Sequence, residues 1–265
     1  MAPFQASGDT WPRVLRLITI PISHYCEKAR WALDRMGIPF REERHVQGIH
    51  IAVARRAGGG STVPVLVTPD GVIGESREIL AWVDERTPPE LRLFPSEAEP
   101  LEQVERLCRR FDEQLGPQGR RLLYVHMLRQ RGLVLDFNNQ GVPRWEDRAL
   151  RYGWPLFGRV VERKLEIHPD VEVQDEAAVW REFDHVAELL ADGRRYLCGE
   201  RFGAADLTFA CMSASIVIPP VYGVPLPQPD VLPPSLATLV GRAREHRAGR
   251  YALSLFSEHR RRRAT

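Results

Sequence analysis

The side chains best suited to chemistry lie close to the start of the chain, in I-S-H-Y-C-E-K-A-R-W-A-L from Ile22 to Leu33. Ser23, His24, Tyr25 and Cys26 place a hydroxyl, an imidazole, a phenol and a thiol side by side. They stand where an apolar, β-rich run, Val14 to Ile20, gives way to a helical face made by Trp31, Ala32, Leu33 and Met36. A sulfur held at the start of a helix is drawn toward thiolate by the positive end of the helix dipole, and a hydroxyl that donates to it favours the anion further. Ser23-x-x-Cys26 therefore has three readings: a dithiol motif lacking its first cysteine, a serine that activates a thiol, or a helix cap worth about 1 kcal/mol.

The elements that must position these groups are readable around them. Gly37 stops the first helix, and residues 39–46 form a second strand. Residues 48–57 are compatible with a short helix, which Gly58-Gly59-Gly60 breaks. V-P-V-L-V, the turn T-P-D-G and V-I-G then read as a hairpin, and Ser76 opens a helix whose apolar face is Ile79, Leu80 and Val83. The order βαβ followed by ββα defines one small mixed α/β domain, residues 11–86. A proline-rich linker follows at 87–99. Beyond it Leu101, Val104, Leu107, Cys108, Phe111 and Leu115 recur at helical spacing. Similar periodicity at about 118–130, 155–167, 175–192, 204–218 and 235–256 makes residues 100–258 an all-helical domain. H-R-R-R-R-A-T, 259–265, reads as a solvated basic tail.

Composition narrows the function. Formal net charge is +2, which gives no general basis for nucleic-acid binding. No apolar run approaches 18 residues, so no membrane-spanning helix is expected, and M-A-P-F-Q-A-S-G-D-T lacks the pattern of a secretory signal. Cys26, Cys108, Cys198 and Cys211 are widely spaced, as in a reduced, cytoplasmic protein, and neither they nor the histidines show metal-ligand spacing.

Four segments, in order, resemble the cytosolic glutathione transferases. S-H-Y-C-E-K-A-R-W-A-L is similar to that family's opening of the first helix, S-T-V-P-V-L-V to its valine-proline step, G-E-S-R-E-I-L to its E-S-x-x-I element, and F-G-A-A-D-L-T-F-A to a helix-capping motif. The resemblance spans about residues 13–215. It implies a thioredoxin-like first domain followed by a helical bundle, and a homodimer. It also implies catalysis in which the glutathione thiol, activated by Ser23, attacks a small hydrophobic electrophile by conjugation or a related isomerisation or reduction. Val63, before a cis Pro64, would pair its backbone with the cysteinyl part of glutathione, and Glu75 and Ser76 would hold the γ-glutamyl end. Taken alone, Val63-Pro64 is an ordinary trans proline opening an edge strand, and Glu75-Ser76 a helix start with an acidic neighbour.

The departures matter. Ser61 and Thr62 replace the lysine or glutamine that many members use on the glycyl carboxylate, leaving His50, Arg55 or Arg56 as substitutes. Gly203 stands where the capping motif has Ser or Thr, so Asp206 caps alone. His24 reads as a bystander, and Arg30 and Trp31 as structural. Tyr124, His126, Met127, Trp145, Tyr152, Trp154, Phe157 and Tyr222 are candidates for the electrophile pocket. Two rival functions remain at this level: a glutathione-dependent thiol oxidoreductase using Cys26, and a non-catalytic binding or scaffold protein of the same fold.

Overall fold

Alternating apolar side chains build the centre of the first domain in a computed structural model that describes residues 14–260. Strand β1, Leu15–Thr19, turns Leu15 and Leu17 to one side of the sheet and Ile18 to the other, all buried. Strand β2, Phe40–Arg44, lies parallel to it, with Leu15 opposite Phe40. On its other side β3, Val65–Thr68, runs antiparallel, with Ile18 opposite Val65. A tight turn returns β3 as β4, Gly71–Ile73, giving the order β2-β1-β3-β4. Helices α1, His24–Arg35, and α3, Ser76–Glu85, cover one face, where Ala29, Ala32 and Leu33 join Ile79, Leu80 and Val83 in the main core. Helix α2, Ile49–Arg56, covers the other through Ala54, packed with Ile18 and Val65. This is the thioredoxin-like arrangement, and a helical domain follows it.

Helix α4, Ala98–Arg110, continues through a π-helical stretch, Phe111–Leu115, into α5, Gly116–Met127. After these come α6, Arg131–Asn138, α7, Arg144–Lys164, and α8, Pro169–Leu189. Helix α9, Ala204–Val217, is buried on all sides, so it is the axis on which the domain packs. Asp206 anchors its start, accepting from Gly203 N at 2.8 Å, Leu197 N at 2.9 Å and Tyr251 Oη at 2.5 Å. Helices α10, Pro234–Glu245, and α11, Arg247–His259, complete the chain's regular structure among the described residues.

Three features differ from the periodicity. The helix expected at 155–167 begins eleven residues earlier, at Arg144, with Pro155 inside it. Pro155 has no N–H for the Arg151 carbonyl, and Arg131 supplies the missing donor from α6 at 2.6 Å. The single helix expected at 235–256 is two, divided at His246, whose Nδ1 caps α11 by accepting from Ala248 N at 3.2 Å. The third is at the chain's end. Arg260, assigned to a solvated tail, is 5% exposed and donates to Glu27 at 2.6 Å and Asp34 at 3.0 Å. His259 stacks on Phe202, with ring centroids 4.2 Å apart. The rest of that tail, 261–265, lies outside the described residues.

Helix α1 carries buried charges in place of a polar outer face. Lys28 is fully buried and donates to both carboxylate oxygens of Asp112 at 2.7 Å. Arg30 donates to Glu27 at 2.5 Å, to Glu42 at 2.7 Å and to the Pro21 carbonyl at 2.5 Å. Glu27 also accepts from Gly223 N at 3.0 Å, in the proline-rich loop after α9. Trp31 lies between Phe202 and Phe256, with centroids 5.9 and 4.9 Å away. Arg30 and Trp31 thus tie α1 to the sheet and to the second domain.

Candidate active site

Strand direction decides where the candidate residues meet. Since β1, β2 and β4 run one way and β3 the other, one edge of the sheet receives the ends of β1, β2 and β4 and the start of β3. Ser23 leaves β1 at that edge, Pro64 enters β3 there, and Glu75-Ser76 follows β4 into α3. Continuing the β1–β3 register by two residues sets Val63 opposite Ile20, three residues before Ser23. The Val63–Pro64 peptide is cis. Ser23, Val63, Pro64, Glu75 and Ser76 therefore share one edge, at the N-termini of α1 and α3. A cavity of about 430 Å³ lies elsewhere, between α3 and α4 against Arg77, Ala81, Leu101, Glu105 and Cys108.

Ser23 is the N-cap of α1, and its Oγ accepts from Cys26 N at 3.4 Å. It is half-buried at the end of the sheet where α1 begins. Its neighbours are less available. Tyr25 donates to the Asp112 carbonyl at 2.7 Å, and burial pushes its phenol up to about 12, against the pull of a nearby Arg120 charge. Burial likewise pushes the Cys26 thiol up to about 11, although Arg30 and the Ser23 hydroxyl act in the opposite direction. His24 is 5% exposed, so it does not face solvent. Burial, with Arg120 and Lys28 nearby, lowers it to about 3, and its Nε2 has no partner among the described residues. It is a neutral imidazole in the first turn of α1.

At α3, Glu75 is the exposed N-cap and Ser76, 4% exposed, occupies the first helical position. A helix start of this kind offers free backbone N–H groups to an anion. His50 lies in the first turn of α2, where its Nδ1 accepts from Gly48 N at 3.1 Å, whereas Arg55 and Arg56 are exposed at that helix's last turn.

The second domain grips this edge through residues that periodicity does not single out. Glu146, 1% exposed near the start of α7, accepts from His45 Nδ1 at 2.7 Å and from Val46 N at 3.0 Å. Gln47 donates to Asn138 of α6 at 2.5 Å and to Tyr124 of α5 at 3.4 Å. Tyr222, in the proline-rich loop, donates to the Ile22 carbonyl at 3.3 Å. Of the expected electrophile-pocket residues, Tyr124 and Tyr222 thus reach the first domain. Trp145 and Tyr152 are 61% and 87% exposed, Trp154 packs on Phe157 at 5.3 Å, and His126 contacts Ser235 at 3.1 Å. One signal in the sequence marks the buried carboxylate: Glu146 lies in the polar stretch D-F-N-N-Q-G-V-P-R-W-E-D, inside the length added around 130–175.

Comparison with known proteins bears on the first domain and on the fold. Residues 17–91 match the family profile described as glutathione S-transferase, N-terminal domain. Poplar glutathione transferase F1 is similar in structure over 94% of both chains, with 12% identity and a TM-score of 0.59. A glutathione S-transferase from Methylobacillus flagellatus, solved with glutathione bound, is 18% identical over 90% of this chain and 98% of its own, with a TM-score of 0.53. One from Methylobacterium radiotolerans, in complex with glutathione sulfonate, is 20% identical over 96% and 97%, with a TM-score of 0.53. No curated protein sequence matches the chain significantly. The chain carries a glutathione S-transferase N-terminal domain and has the glutathione transferase fold through both domains.

Proposed function

We propose that the protein is a glutathione transferase in which Ser23 activates the thiol. The observation that carries this reading is the meeting of Ser23, Val63 and Glu75-Ser76 at one sheet edge beneath the helical domain. Glutathione would lie along that edge with its γ-glutamyl carboxylate on the α3 start at Ser76 and its ammonium near Glu75. Its cysteinyl backbone would pair with Val63 as an added strand. The sulfur would then stand at Ser23, where the hydroxyl donates to it and the α1 dipole favours the anion. With the thiol proton released to water, the thiolate pair forms a bond to an electrophilic carbon. The electrons displaced leave with a departing group or generate a carbanion that takes a proton from water. Glutathione is the co-substrate, a homodimer the expected assembly, and the cytoplasm the expected location.

The Cys26 oxidoreductase reading is opposed by the same geometry. A thiol held at about 11 is almost entirely protonated at neutral pH and is shielded inside α1. Calorimetric titration of glutathione into wild type and Ser76→Ala tests the transferase site, together with ultraviolet detection of bound thiolate in wild type and Ser23→Ala. Ser76→Ala is expected to weaken binding about tenfold, the value of one charge-assisted hydrogen bond. Ser23→Ala is expected to remove the thiolate signal at pH 7 while glutathione still binds. No wild-type binding at millimolar glutathione would reject the transferase and favour the scaffold reading.

A further inference from the structure

Helix α5 crosses the candidate site with one stripe turned to the first domain. At Gly116 its backbone comes so close that an added Cβ would stand 2.7 Å from the Tyr25 hydroxyl. Eight residues on, Tyr124 meets Gln47. Arg120 lies midway at i+4, so the helical repeat turns it to the same side, over the first turn of α1. Its sequence neighbours face elsewhere: Gly119 backs onto Ser215 and Ile216 of α9, and Arg121 pairs with Asp175 of α8 at 2.5 Å.

Arg120 is also unsatisfied. It is half-buried, its Nε is out of contact with water and, among the described residues, neither that atom has a hydrogen-bond partner nor the guanidinium a carboxylate. Of the two acids that act on Tyr25 alongside Arg120, Asp112 is engaged with Lys28, and Glu75 makes no ion pair with Arg120. The titrations of His24, Tyr25 and Tyr124 are each shifted first by burial, and the next influence in all three is the Arg120 charge. A cation partly withdrawn from water without a counter-ion is a poor structural element, and its planar fork suits a carboxylate.

We infer that Arg120 selects the second substrate: the electrophile carries a carboxylate, which Arg120 binds while the reactive carbon faces the thiol at Ser23. This rests on the transferase reading. It narrows the substrate class from small hydrophobic electrophiles to anionic ones, such as aryl or alkenyl acids.

The test uses two product conjugates, S-(4-carboxybenzyl)glutathione and its benzoate methyl ester, titrated calorimetrically into wild type, Arg120→Gln and Arg120→Lys, with circular dichroism to verify folding. Wild type is expected to bind the acid about tenfold more tightly than the ester. Arg120→Gln should bring that ratio to near one, and Arg120→Lys should keep part of it. Turnover of 4-(chloromethyl)benzoate against its methyl ester should show the same preference and the same loss. Equal affinity of wild type for acid and ester, with glutathione still bound, would overturn the assignment of Arg120 and leave the transferase intact. So would an equal weakening of acid, ester and glutathione in Arg120→Gln, which would place Arg120 on the tripeptide. No wild-type binding of glutathione or either conjugate would overturn both readings.

Discussion

Replacing Glu42 tests how the loop that carries Ser23 is held. Glu42 ends up within β2, 10% exposed at its side chain, accepting from Arg30 at 2.7 Å, from Arg44 at 2.8 and 2.9 Å and from Thr19 at 2.7 Å. Burial alone would raise its carboxyl, but Arg30 and Arg44 with the Thr19 hydroxyl hold it down to about 2, against 4.5 in an unperturbed chain. A group held lower in the folded state adds stability above its unfolded value and loses it as the pH falls toward its folded one. At pH 7 the difference amounts to about 3 kcal/mol, at pH 5 still about 3, and at pH 3 about 1. Glu42→Gln should remove that contribution. Urea unfolding of wild type and variant, followed by tryptophan fluorescence at pH 7, 5 and 3, should give a stability gap that shrinks from about 3 to about 1 kcal/mol. A gap below 1 kcal/mol at pH 7, or one that does not change with pH, would refute the argument that these guanidinium groups outweigh burial. Because Arg30 also donates to the Pro21 carbonyl, two residues before Ser23, the variant should lose part of its bound-thiolate signal as well.

Two further outcomes follow from burial and close contact. Gly249→Ala would drive a Cβ into the Ala243 carbonyl oxygen, backbone that cannot swing aside, so a destabilisation of about 2–3 kcal/mol is expected despite alanine's better helix propensity. Thermal unfolding should show a midpoint several degrees lower, and an unchanged midpoint would mean that the α10–α11 corner yields freely. Cys26, buried with its thiol at about 11, should resist iodoacetamide at pH 8 in the folded protein and react at once in urea. Rapid native labelling of Cys26, mapped by mass spectrometry, would revive it as a reactive residue.

The parts of the site readable from sequence are those with local signatures. Ser23 precedes a helical face, Val63-Pro64 opens a hairpin, and Glu75-Ser76 starts a helix, so each is marked by its own neighbours. The parts that escape are long-range substitutions of one partner for another. Pro155 reads as a helix start because a proline removes a backbone donor, yet Arg131, twenty-four residues earlier, replaces that donor and α7 runs through. The break at His246 has no Gly or Pro at its point of bending. Its signal is Gly249, where α11 closes against the Ala243 carbonyl.

Charge is where local reasoning fails most, and it fails in an informative order. Arg30 reads as structural, but nothing in the segments that carry Glu27, Lys28 and Arg30 on α1 or Arg120 on α5 names a partner. The first three are buried with partners drawn from β2, the π-helical stretch, the proline-rich loop and the chain's last described residue. Their charges are used up in fixing α1. Arg120 lies near His24, Tyr25 and Tyr124 but has no carboxylate partner among the described residues. In a fold that matches so many of its buried charges, a half-buried cation left without a carboxylate near His24 and Tyr25 is one whose counter-ion arrives with the substrate.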